Sequence, residues 1–153
     1  MKKIIKVACA VLFSLYLLVL IYLLFFKPND RFHDYTLLEY IKNSSNIIPF
    51  KTVAEYIEKL SSDQINTSSV IYNLVGNLIL FAPMGFFVPI LFKMISDFKK
   101  IALLSVVVIL VVEVLQMCFM VGHFDIDDII LNTVGAFFGY GAYKLLSIEK
   151  LKI

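Results

Sequence analysis

The stretch "GHFDIDDIILNTVGAFFGY", Gly122–Tyr140, crowds Asp125, Asp127 and Asp128 at the lip of a mostly apolar run. Carboxylates repel one another and are costly to desolvate, so their surroundings have to compensate them. The run belongs to the last of four long apolar segments, Ile4–Phe26, Val70–Phe92, Ile101–Val121 and Ile129–Ser147. Each has roughly the 17–25 residues that a helix needs to cross a bilayer. Composition agrees: 60% of the chain is hydrophobic and 17% charged, against about 45–50% apolar in soluble domains. A chain of 153 residues has too little interior to hide that load. The expected fold is an all-α integral membrane protein of one domain, a four-transmembrane-helix bundle. A short amphipathic outer segment, Lys27–Ser69, joins spans one and two.

Lysines orient the bundle. Four spans leave both termini on one side, which collects Lys2, Lys3, Lys6, Lys93, Lys99, Lys100, Lys144, Lys150 and Lys152 against only Asp97 and Glu149. The short connection Gly122–Asp128 has no lysine or arginine. Both termini are therefore expected in the cytoplasm of a multi-pass cell-membrane protein, with Lys27–Ser69 and the aspartates outside. The first span is too long for a secretion signal and lacks a small-x-small cleavage site, so it reads as an uncleaved anchor. A net charge of +2 with no basic stripe speaks against nucleic acid as a partner. Cys9 and Cys118 fall near opposite faces and read as small apolar side chains.

The outer segment has structure of its own. Thr52 and Glu55 have capping-box spacing, and Val53, Tyr56, Ile57 and Leu60 recur as an amphipathic stripe. This predicts a helix over Thr52–Leu60, lying on the membrane surface or capping the bundle. A weaker helix is expected over Tyr35–Ile41. Between them "NSSNIIPF" leaves the helical region before Pro49, because proline disfavours that conformation in its predecessor.

Depth sorts the remaining polar residues. At about 1.5 Å of rise per residue, Asn73, Asn77, Glu113, Gln116 and Asn132 all fall in the outer half of the bilayer. Asn73 and Asn77, Glu113 and Gln116, and Asp128 and Asn132 are helical neighbours in pairs, so each pair shares a face. Short connections make spans two, three and four antiparallel neighbours. These faces are expected to converge on an outward-facing polar pocket, roofed by the aspartates and formed by Asn77, Glu113, Gln116, His123, Asp125, Asp128 and Asn132. Plainer roles compete. Asparagines serve equally as hydrogen-bond glue between membrane helices, and Asp127 or Asp128 suits the N-terminus of the fourth helix. Glu113 is different, because an acid at that depth is costly when charged and marks a functional site by default. Gly135 and Gly139 have the spacing that lets membrane helices approach closely. Pro83 and Pro89 are expected to kink the second span, as architecture or as a hinge.

"NIIPFKT", "NLVGNLILFAPMG", "EVLQ" and "FDIDDIILNTVGAFFG", in this order between Asn46 and Gly141, resemble the VanZ-like family. The resemblance implies roles for Asn46, Pro49 and Phe50 in the outer loop and for Asn77, Phe81, Pro83 and Gly85 in the second span. It extends to Glu113, Gln116, Asp125, Asp128, Asn132 and Gly135. The family pattern often has an arginine before the aspartates, where this chain has His123. A full positive charge there needs lower pH, so a permanent grip on phosphate is not expected.

The resemblance implies a bacterial envelope protein linked to resistance to glycopeptides such as teicoplanin. Two functions of different classes fit. In the first, the pocket binds a membrane lipid, a lipid-linked cell-wall precursor or a glycopeptide antibiotic, apolar walls taking a chain and the polar rim a headgroup. In the second, the protein is an intramembrane metal-dependent enzyme acting on a prenyl-phosphate lipid. Asp125, Asp127 and Asp128 would then hold Mg2+, and Glu113 or His123 would carry a proton. This chain offers no nucleophile–base pair, histidine-rich metal motif or phosphate-cradling glycine loop, so no cofactor is firmly expected.

Overall fold

The computed structural model of the protein describes residues 2–26, 36–62 and 66–146, and these are mostly helical. The long helix α1, Lys2–Phe25, is followed by α2, Leu37–Asn43, the two-residue strand β1, Ser45–Asn46, and α3, Lys51–Ser61. Then come α4, Thr67–Leu80, and α5, Ala82–Leu91, with α6 at Phe98–Cys118. Strand β2, Phe124–Asp125, leads directly into α7, Ile126–Leu145. His33, Lys27, Arg31 and the C-terminal Glu149, Lys150 and Lys152 lie outside the described residues.

Three helical stretches are long and apolar enough to cross a membrane: Lys3–Phe25, Val70–Leu91 and Phe98–Cys118. They match the first three expected segments. The fourth segment forms α7, which starts at Ile126 rather than Ile129. Two aspartates and an asparagine in its first two turns, with glycines and tyrosines beyond, dilute its apolar content.

The second stretch is two helices rather than one. Pro83 has no N–H to give to the preceding turn, so the helix breaks at Phe81 and Pro83 takes the second position of α5, where no N–H is needed. The Tyr16 hydroxyl of α1 donates to the Leu80 carbonyl at this break, at 2.9 Å. Phe81 itself is fully buried.

Helix α7 is the hub of the bundle and packs on α4, α5 and α6. Its approach to α4 and α5 needs glycine. A Cβ at Gly135 would lie 2.0 Å from the Leu78 carbonyl oxygen, and one at Gly139 would lie 1.8 Å from that of Ala82. From the other side, a Cβ at Gly85 would lie 1.9 Å from the Ala136 carbonyl oxygen. The expected close-packing role of Gly135 and Gly139 is thus seen at the α4–α5 break. On α6 a stripe every fourth residue, Ile101, Ser105, Ile109 and Glu113, is buried, as helical periodicity requires of an inward face. Helix α6 ends with Met120 in the left-handed region, φ 54°. Met120 N–H bonds to Met117 O at 3.1 Å and Val121 N–H to Gln116 O at 3.0 Å, the paired bonds of a Schellman ending.

The segment between α1 and α4 departs from expectation in its details. The weaker helix runs over Leu37–Asn43 rather than Tyr35–Ile41, and the capping box belongs to it: Thr36 Oγ1 accepts from Glu39 N while Glu39 accepts from Thr36 N. No such box forms at Thr52 and Glu55. Helix α3 begins after Phe50 without a local side-chain cap, and Glu55 pairs with Lys51 and Lys59 instead. The stripe of α3 is as expected on Val53, Tyr56 and Leu60, half-buried where the helix packs on α4 and α7, while Ile57 is exposed.

Candidate functional site

The three aspartates do three different jobs, which answers why they are crowded together. Asp125 is the N-cap of α7, its Oδ1 accepting from Asp127 N at 2.9 Å. The same carboxylate accepts from Asn46 Nδ2 at 3.1 Å and from the Thr52 hydroxyl. The sequence suits Asp127 or Asp128 to capping the fourth helix; Asp125 does so because α7 starts at Ile126, earlier than expected. Asp127, on the first turn of α7, reaches across to α3. Its two oxygens accept the backbone N–H groups of Phe50 and of Val53, the latter at 3.2 Å. A residue of α7 therefore caps α3, supplying what Thr52 was expected to supply. Asp128 accepts from Asn77 Nδ2 on α4.

The outer-loop residues are shaped for this docking. Asn46 Oδ1 accepts from Ile48 N at 3.2 Å, an Asx turn. Ile48–Lys51 then forms a turn closed by Lys51 N–H to Ile48 O at 3.3 Å. Pro49 presets the first central position, and Phe50 occupies the second with φ 64° and ψ 8°, values characteristic of a type II turn. Beneath it, β1 pairs in parallel with β2, Ser45 opposite Phe124 and Asn46 opposite Asp125. The fully buried Tyr40 of α2 donates its hydroxyl to the Gly122 carbonyl. Residues 44–53 are thereby laid over the start of α7.

Under this cover lie the polar residues expected at membrane depth. Glu113 is 4% exposed and Asn132 3%. Glu113 Oε2 accepts from Asp125 N at 3.4 Å. The buried Asn132 Oδ1 has no hydrogen-bond partner among the described residues. Two expected members are placed differently. Gln116 Nε2 donates to the Leu24 carbonyl on α1 at 3.0 Å, so its amide ties α6 to the end of the first span. His123 is exposed, as is Asn73.

Several contributors are not marked as site residues by the sequence. Thr52 reads there as a local cap, and the amides of Phe50 and Val53 are backbone groups. Tyr56, on α3, lies near the cluster: burial, then the charges of Asp128 and Asp125, hold its phenol above the usual tyrosine range and so protonated.

The three aspartates do not converge as a ligand set. Asp125 and Asp127 are occupied by protein N–H and O–H donors from separate elements. Among the described residues no three histidine, cysteine or acidic groups are arranged to hold a metal ion. Two of the three carboxylates expected to hold Mg2+, Asp125 and Asp127, are thus already engaged by the protein itself.

Apolar helices of spanning length, with a loop bonded to buried carboxylates at the head of the last helix, define a helical membrane protein with a covered acid–amide cluster. The comparison with known proteins gives the family: residues 13–147 match the VanZ/LLP1 model, and the chain belongs to the VanZ/LLP1 family. Protein VanZ of Enterococcus faecium is 31% identical over 140 residues, covering 92% of this chain and 76% of that protein. No solved structure matches the chain.

Proposed function

We propose that the protein is a four-span envelope protein, α7 being the fourth span and both termini cytoplasmic, whose acid–amide cluster faces outside. There it binds the headgroup of a membrane lipid, a lipid-linked cell-wall component or a glycopeptide, and so contributes to glycopeptide resistance. One observation carries this reading: Asp125 and Asp127 hold residues 46–53 over the buried Glu113 and Asn132 and the half-buried Asp128 by side-chain hydrogen bonds. A cluster meant only to glue helices needs no cover drawn from a distant loop. Family membership and the likeness to protein VanZ support the envelope setting.

The test is teicoplanin susceptibility in a strain expressing the protein or its Glu113→Gln and Glu113→Leu variants at equal membrane levels. The reading expects both variants, and Leu more than Gln, to lose any protection. Unchanged protection in both would overturn it. Orientation is checked separately with a membrane-impermeant maleimide on a Cys9→Ser protein, where the exposed Cys118 at the acidic end is expected to label from outside intact cells.

A further inference from the structure

We infer that the covered cluster seats an ammonium group, so that the ligand of the proposed binding function carries a free primary amine. The inference rests on that function and specifies its chemistry. Three acceptor atoms remain after the protein's own hydrogen bonds are counted. Asn77 takes Asp128 Oδ1, and Asp125 N–H takes Glu113 Oε2. Among the described residues no hydrogen bond reaches Asp128 Oδ2 or Glu113 Oε1, and Asn132 Oδ1 is buried with no partner at all.

Placement brings the three together. Asp128 and Asn132 are successive turns of one face of α7, and helical side chains tilt toward the helix N-terminus, which aims the Asn132 amide back at the turn bearing Asp128. Glu113 meets that turn from α6 through its bond to Asp125. An ammonium has three protons on a compact tetrahedral centre, one for each of these oxygens. The charge agrees. Every ion pair among the described residues lies elsewhere, on the exposed faces of α3 and α6, so no lysine or arginine partners these carboxylates. A phosphate or carboxylate headgroup would meet only like charge here, whereas a cation is stabilised by both acids.

Two sources supply such a group, an aminolipid headgroup and an amine-bearing glycopeptide. The experiment uses the full chain in phosphatidylglycerol nanodiscs. Four probes are titrated and read by ligand-induced change in melting temperature: phosphatidylethanolamine, its N-acetyl form, teicoplanin and N-acetylated teicoplanin. Acetylation leaves the rest of each molecule in place but removes the charge and two donors. The expected result is that one amine binds at least about tenfold more tightly than its acetylated partner, the loss associated with one charge-assisted contact. Whichever pair shows the difference identifies the source. In Glu113→Gln and Asn132→Leu proteins the preference is expected to shrink while apolar binding of either form persists. Equal binding of amine and acetylated probe overturns the ammonium seat alone. Binding of none of the four overturns this inference together with the function on which it rests.

Discussion

Asp127 caps a helix to which it does not belong: its Oδ2 accepts the Val53 amide at 3.2 Å across 74 positions of sequence. A helix start leaves its first N–H groups without partners, and α3 receives its acceptor from the first turn of α7. Replacing Asp127 with Ala is expected to destabilise the protein by about 2 kcal/mol, the upper range for losing an N-cap. Asp127→Asn retains one acceptor oxygen and is expected to cost less. Hydrogen exchange offers the site-specific check: the Val53 amide loses protection in Asp127→Ala, while amides in the middle of α6 keep theirs.

Glycines separate packing from tolerance. Gly135→Ala and Gly139→Ala drive a methyl into the Leu78 and Ala82 carbonyl oxygens, approaches of 2.0 and 1.8 Å that only a shift of α7 relieves. Each is expected to cost about 1–3 kcal/mol or more, the range for overpacking. Gly141→Ala meets nothing within 4 Å and is expected to be neutral or to gain up to about 1 kcal/mol from helix propensity. Melting temperatures of the three variants in one detergent decide the order.

The break between α4 and α5 makes a further forecast. Tyr16→Phe removes the side-chain donor that reaches the Leu80 carbonyl. The expected loss is about 0.5–1.5 kcal/mol, the usual net value of such a bond. Because Tyr16 lies on α1, the same variant is expected to loosen α1 from α5, which cysteine crosslinking between these helices would register as a lower yield.

Acid is expected to act on α2 through Glu39. Glu39 accepts from Thr36 N and Thr36 Oγ1, and these bonds hold its carboxyl below the usual 4.5. A depressed folded value means that the stabilisation is complete above the unfolded value and is lost as pH falls through the folded one. Melting curves of the parent and Glu39→Gln are therefore expected to differ at neutral pH and to converge as pH falls through the lowered folded value of Glu39.

Much of this architecture could be read from the chain because its signals are local and periodic. Three spans followed from apolar length, the close approach of α7 from the spacing of Gly135 and Gly139, and the break from Pro83. The sequence puts Asn77 and Asp128 in the same expected pocket, and the two bond directly. Other features depend on partners far apart in sequence. Two-residue strands such as Ser45–Asn46 have no periodicity to detect. A capping box at Thr52 and Glu55 satisfies every local rule, yet Thr52 bonds to Asp125 instead because tertiary packing brings a charged acceptor closer. Gln116 was assigned to the cluster from its spacing to Glu113, but one turn of helix was enough to swing its amide toward α1.

The backbone at Phe50 has its own bearing on how the cover behaves. A bulky side chain in the left-handed region costs about 1–3 kcal/mol unless its surroundings hold it there, and the hold on Phe50 N–H comes from Asp127. One carboxylate thus serves two ends at once, holding Phe50 in its uncommon backbone conformation and capping α3.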